Sequence, residues 1–201
     1  MKARKKGGAK DPWADHLTRR AKSEGYPARS VYKLEEIQKK FKVLKKGDHV
    51  LDLGCAPGSW LLYAAQQVGS KGSVLGIDLK TVDIKLPGNV QAIQDDILEA
   101  RTKDRLSGEN FQAVISDMAP ATTGRKDVDA LRSCRLCEMA LDTALSCLEK
   151  GGSFVCKIFQ GQEFKAFQGL VQKNFKECRV FKPESCRKQS KEIFMIAKGK
   201  L

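Results

Sequence analysis

"HVLDLGCAPGSW", residues 49–60, holds a strand, a turn and the start of a helix in one short stretch. "HVLDL" reads as the strand, "GCAPGS" as the turn, and an apolar helix begins near Trp60. In an open α/β sheet, ligands bind at the carboxyl ends of the strands, close to where strand order reverses. Gly54 and Gly58 let the backbone approach such a ligand closely. The loop is not G-x-G-x-x-G, so the dinucleotide fingerprint is absent. Pro57 also removes an amide that would cradle a phosphate. A ligand without a pyrophosphate fits this turn better.

Working outward, strand-like runs recur at 74–77, 90–93, 113–117, 153–157, 179–182 and 192–198. Helical segments separate most of them, the clearest at 128–149 and 162–175. That alternation argues for a doubly wound, mostly parallel α/β sheet of seven strands. The last two strands are joined by only nine residues, 183–191, too few for a parallel crossover. The final strand is therefore expected to run antiparallel. Upstream, two helical segments are broken near Gly25-Tyr26-Pro27. The second carries Val31, Leu34, Ile37 and Gln38 at helical spacing, with Ser30 as its expected cap.

With 201 residues, 41% apolar and 30% charged, the chain suits one globular domain: a flexible basic tail at 1–11, then a single domain at 12–201. Its N-terminal portion, 12–46, is a basic helical segment. No run approaches the roughly 20 apolar residues of a membrane span, and no signal peptide is visible. Seven cysteines in that setting read as reduced thiols, so a cytoplasmic protein is expected. The net charge of +13 is concentrated at the two ends of the chain. Residues 1–46 carry 15 Lys/Arg against 5 Asp/Glu, and 179–201 carry 7 against 2, around a nearly neutral middle. That is the footprint of a polyanion binder, nucleic acid first.

Acidic residues stand at successive strand ends. Asp78 closes "GIDL", where it can accept both hydroxyls of a ribose; Asp96 in "IQDDI" can reach an adenine amino group. NAD enzymes and S-adenosylmethionine enzymes share the first placement, and "DLGCAPG" tips the balance to S-adenosylmethionine. Asp117 closes the fourth strand and Lys157 the fifth. Glu192 opens a last strand that runs the other way, which brings it to the same rim. Buried charges of opposite sign can neutralise one another there, either as a structural ion-pair network or as catalytic machinery beside a ligand pocket.

The combination of "RSVYKLEEI", "LDLGCAPGSW", "SDMAP", "CKIFQG" and "KPESCRKQSKEIFMIAKG" resembles the FtsJ-type ribosomal RNA 2′-O-methyltransferases, in order, from about residue 12 to residue 199. The match is close to the large subunit methyltransferase E subgroup. The resemblance implies a Rossmann-like methyltransferase fold and a Lys-Asp-Lys-Glu tetrad at Lys33, Asp117, Lys157 and Glu192. It also implies S-adenosylmethionine contacts at Gly58, Trp60, Asp78, Asp96 and Asp117, with no metal. The implied substrate is a uridine ribose in the A-loop of large-subunit ribosomal RNA, presented on the assembling particle, and the implied state is a monomer. Ser59 departs from the second glycine many relatives have, and Asp95-Asp96 doubles an acid that is usually single.

A lysine acts as a base only when neutral, and its ordinary pKa is about 10.4. Burial and a second cation lower that value, whereas carboxylates raise it. Lys157 is thus expected either to take the 2′-hydroxyl proton or to stay charged and orient the hydroxyl. Arg19, Arg20, Lys22, Arg29, Arg187, Lys188 and Lys191 are expected phosphate contacts; Tyr26 and Tyr32 either stack on a base or pack in the core. Trp60 is equally readable as a core residue. Rival readings are a transfer RNA methyltransferase and a non-catalytic ribosome-assembly factor.

Overall fold

β1 (His49–Leu53) starts exposed and is buried from Val50 onward, as a strand covered on both faces must be. The structure, a computed structural model, describes residues 12–106, 108–187 and 189–201. The expected tail at 1–11 and the side chain of Lys188 lie outside these residues. Helices α1 (Pro12–Ser23) and α2 (Val31–Phe41) come first. Then follow β1, α3 (Ser59–Val68), β2 (Ser73–Asp78), β3 (Val90–Gln94), α4 (Ala100–Leu106), β4 (Phe111–Ser116), α5 (Lys126–Cys147), β5 (Leu148–Phe159), α6 (Phe164–Asn174), β6 (Phe175–Phe181) and β7 (Glu192–Lys200).

The seven strands form one sheet in the order β3-β2-β1-β4-β5-β7-β6. β3, β2, β1, β4 and β5 are mutually parallel, and β7 lies antiparallel between β5 and β6. The short β6–β7 connection forces that reversal, as expected from its length. Side chains from α1, α2 and α3 share one core with one face of the sheet, through Leu17, Leu34, Ile37, Trp60, Leu61 and Ile115. Those from α4, α5 and α6 share the other, through Leu106, Leu141, Phe167, Val114 and Phe154.

Register, more than any single contact, sets the site. Leu53 pairs with Ile77 on one side and Ser116 on the other, so the next residues, Gly54, Asp78 and Asp117, emerge at one level. Ser116 pairs with Cys156, which brings Lys157 to the same level, and Phe159 pairs with Glu192. Lys157 does not close its strand as expected: β5 continues two residues further, because Ile158 and Phe159 keep pairing with β7. Likewise β4 stops at Ser116, leaving Asp117 just beyond the ladder.

The far end of the chain is tied down by one ammonium group. Lys200 Nζ donates to the carbonyls of Leu145 and Leu148, at 2.7 and 2.5 Å, where α5 runs out of internal partners. A cation bonded to the free carbonyls of a helix C-terminus is favourable twice over. Lys200→Met is expected to lower the unfolding free energy by about 1–2 kcal/mol in urea titration.

Candidate active site

Four of the expected residues converge on the carboxyl edge of the sheet. Lys157 Nζ lies 2.9 Å from Asp117 Oδ1 and also donates to the Asp117 carbonyl. Lys33 Nζ, delivered from α2, donates to Glu192 Oε2 at 3.1 Å and sits 3.7 Å from Asp117 Oδ1. Asp117 thus stands between two ammonium groups, and Lys33 between two carboxylates. Both lysine residues are buried. Four charges in alternation can share one desolvated rim, because each is paired with at least one of opposite sign.

The electrostatics follow from that alternation. Burial works to lower the Lys33 pKa, but Asp117 and Glu192 outweigh it and hold the ammonium above the ordinary lysine value. Burial likewise works to raise Glu192, and the Lys33 charge and hydrogen bond prevail, holding it below the ordinary carboxylate value. Beside them, burial first and the Glu192 carboxylate second push the Cys186 thiol up to about 12, so it faces the carboxylate as an S–H group.

A cavity of about 490 Å³ opens next to this rim. Gly54, Asp78, Asp96 and Asp117 line it, with apolar walls from Ile77, Ile97, Leu98, Met118 and Met139. Asp78 fixes the glycine loop, accepting the Ala56 amide at 2.9 Å on Oδ2 and the Lys80 amide at 2.8 Å on Oδ1. Asp96 Oδ1 accepts the Leu98 amide at 2.9 Å. Asp95 is held by the Arg101 guanidinium at 2.8 Å and by the Asp96 amide, which leaves Asp96 the less engaged of the two acids. Gly54 has φ +78°, and a Cβ there would run into Met118, so only glycine leaves the cavity mouth open.

Gly58 and Trp60 do not line the cavity. Gly58, at φ +108°, faces Ile84, whose Cδ1 would lie 2.6 Å from an added Cβ. The Trp60 ring is buried against Phe194, with centroids 5.9 Å apart, and its Nε1 donates to the Ser30 carbonyl at 2.9 Å. Its indole is therefore a clamp between α3 and α2. Tyr32 is core: its hydroxyl donates to Glu24 at 2.9 Å and its ring is buried. Tyr26 is half-buried and donates to Gln66 at 2.8 Å. Ser30 sits at the cap position of α2, but its hydroxyl makes no capping bond.

Two positioning residues escaped the sequence reading. The Ser59 hydroxyl, fully buried, accepts the Ala28 amide at 2.8 Å and donates to the Ala28 carbonyl at 3.0 Å. The Glu36 carboxylate accepts the amides of Glu184 and Ser185 at 2.6 and 2.9 Å. Together with Trp60 they fasten α2, and hence Lys33, to α3 and to the β6–β7 connection. "KLEEI" carries no mark to single out Glu36, whose partners lie more than 140 positions away in the chain.

Cys134 and Cys137 are both buried in α5, and the Cys137 thiol donates to the Lys157 carbonyl at 2.9 Å. His49 is at the opposite edge, at the exposed start of β1, with Nδ1 2.6 Å from Ser73 Oγ. Among the described residues no helix is long and apolar enough to cross a membrane.

This sheet order and this rim beside a strand-end cavity define an α/β methyltransferase. The FtsJ-like methyltransferase family model matches residues 26–200, and the chain belongs to that family. A ribosomal RNA large subunit methyltransferase E from Desulforapulum autotrophicum is 59% identical over 192 residues, covering 95% of each protein. Its counterpart from Desulfatibacillum aliphaticivorans is 55% identical over 202 residues, covering 100% of this chain and 96% of that one. Among solved structures, one described as a ribosomal RNA methyltransferase from Plasmodium falciparum superposes with TM-score 0.75 at 28% identity, covering 88% of this chain and 99% of the other.

Proposed function

We propose that the protein transfers a methyl group from S-adenosylmethionine to the 2′-hydroxyl of a uridine ribose in the A-loop of large-subunit ribosomal RNA, acting as a monomer on the assembled subunit in the cytoplasm. One observation carries the reading: Asp117 lines the cavity and also holds Lys157 Nζ at 2.9 Å. A methyl donor and a proton acceptor would then meet across a single side chain.

The cavity's volume and its acids fit an adenosyl ligand. Asp78 would take the ribose hydroxyls, Asp96 the adenine amino group, and the apolar wall of Ile97, Leu98 and Met139 the flat base. Gly58 and Trp60 would serve through the shape of the loop and helix start. When bound, the donor supplies a methyl group on a positively charged sulfur, a leaving group that departs as a neutral thioether. Lys157, once it has released an ammonium proton to solvent, accepts the 2′-hydroxyl proton at Nζ as the oxygen attacks. Asp117 aims Nζ through its carboxylate and its carbonyl. Lys33 stays charged between Glu192 and Asp117, so the rim keeps a fixed cation beside the amine. The names of the relatives, ribosomal RNA large subunit methyltransferase E, support the substrate class.

The decisive experiment incubates the protein with labelled donor and large subunits lacking the modification, then maps 2′-O-methyl nucleotides. A new methyl on an A-loop uridine is expected; label on transfer RNA alone, or none, overturns the reading. Arg19, Lys22, Arg187 and Lys191 are exposed, while Arg29 is half-buried against the Ser185 carbonyl. Arg20, also exposed, lies over the Tyr32 ring and bonds Glu24. If about six such cations meet phosphates, the logarithm of RNA affinity should fall with the logarithm of salt at a slope of about −4. A filter-binding titration from low to moderate salt measures that slope.

A further inference from the structure

One buried acid takes no part in this scheme. Asp52, in the middle of β1, is 1% exposed, and neither of its carboxyl oxygens has a hydrogen-bond partner among the described residues. Strand alternation puts it on the face of Val50, beneath α3. Its lateral neighbours there are Gly76 on β2 and Ile115 on β4. Two residues further along those strands stand Asp78 and Asp117, which line the cavity. Asp52 therefore lies one layer below the glycine loop, under the gap between the two acids.

An ionised carboxylate with no partner is costly to bury, so such a group protonates instead. Burial first, and then Asp117 and Asp78, hold the Asp52 pKa well above the ordinary carboxylate value. The other titratable group that faces it, the Cys55 thiol, is itself driven up by burial and then by Asp52, so it brings no positive charge. The two cations of this face are engaged elsewhere, Lys157 with Asp117 and Lys33 with Glu192. α3 contributes Trp60 and Leu61 to this face of the core, and no charge. A core needing only shape would be served by leucine or asparagine. What distinguishes an aspartic acid here is that it can become an anion when a cation arrives above it.

The proposed methyl donor is such a cation, positive at sulfur and at its amino group. Resting on that reading of the cavity, we propose that Asp52 is the donor's stored counter-charge: a neutral acid in the free protein, it releases its proton to solvent as the donor binds. Donor binding and Asp52 ionisation are then one linked equilibrium, and affinity rises with pH while Asp52 is protonated in the free protein. No bond other than the O–H of Asp52 breaks, and the proton passes to buffer.

Isothermal titration of the protein with S-adenosylmethionine, in buffers of differing ionisation heat near pH 7, counts that proton. Release of about one proton per donor is expected from the wild type, and that release is expected to vanish in Asp52→Asn. Buffer-independent heat, or the same count in D52N, overturns the proposal. Difference infrared spectroscopy on the wild type answers even if D52N fails to fold. The carbonyl band of a protonated carboxylic acid is expected to disappear on donor addition, and its persistence overturns the assignment. Saturable donor binding without proton release leaves the methyltransferase reading standing and removes only this inference; absence of donor binding removes both.

Discussion

Lys157→Ala is expected to cut the rate of methyl transfer by about 10²–10⁴ while S-adenosylmethionine affinity stays near that of the wild type. The two effects separate because the lysine and the cavity meet only through Asp117. Lys157 does not line the cavity, whereas Asp78, Asp96 and Gly54, which do, keep their bonds and register without it. Asp117 keeps the Lys33 ammonium at 3.7 Å, so its charge is not stranded. Lys157→Arg sharpens the test: guanidinium restores the positive charge beside Asp117 but cannot give up its proton. An Arg variant as slow as the Ala variant assigns the proton to Lys157. Recovery of turnover in the Arg variant means that positive charge alone is needed there. Single-turnover transfer of labelled methyl, measured beside equilibrium donor binding, reads both quantities; near-normal turnover in Lys157→Ala would remove this residue from the chemistry.

Local pattern carried most of the fold. Each of the seven strands begins within five residues of the run that suggested it, and the spacing of 183–191 was enough to reverse the last one. What local pattern misses is distance along the chain. Ser59 looks like a crowded glycine until its hydroxyl is seen to hold both backbone groups of Ala28. Tyr32 reads either as a base-stacking ring or as core, and it is core because its helix turns that face inward. Trp60 divides the two cases. The family resemblance implies a ligand contact and its place at the helix start a core one; its depth against Phe194 depends on β7, more than 130 positions away. Asp117, Lys157 and Glu192 were legible because strand ends are visible in sequence and the sheet brings those ends to one edge, whereas Lys33, on α2, came only from the family resemblance. The spacing of the rim was not legible, since the register that levels Asp117 with Lys157 is written in neither strand alone.

Lys33→Met is expected to lower stability by about 3 kcal/mol near neutral pH, a fall of about 6–12 °C in Tm for a chain of this size. The cost arises because a buried carboxylate loses its partner: Glu192 gives up the 3.1 Å bond to Nζ. The pH dependence identifies the cause. In the wild type Glu192 is held below its ordinary value, so its contribution is present above the carboxylate range and is lost as pH falls through the lowered pKa. Lys33 is held above its ordinary value, so its contribution is complete below the lysine range and is lost as pH rises through the raised pKa. Together they predict a plateau of stability between about pH 5 and 10 from this pair. In the variant the Lys33 charge no longer opposes burial, which acts to raise Glu192, and the group then favours folding in its protonated form. The gap between variant and wild type should therefore be widest near pH 7 and close toward about pH 4, which urea unfolding at three or more pH values measures. A deficit independent of pH would mean that the methionine merely packs badly, and that the Lys33–Glu192 pair does not set the charge of the rim.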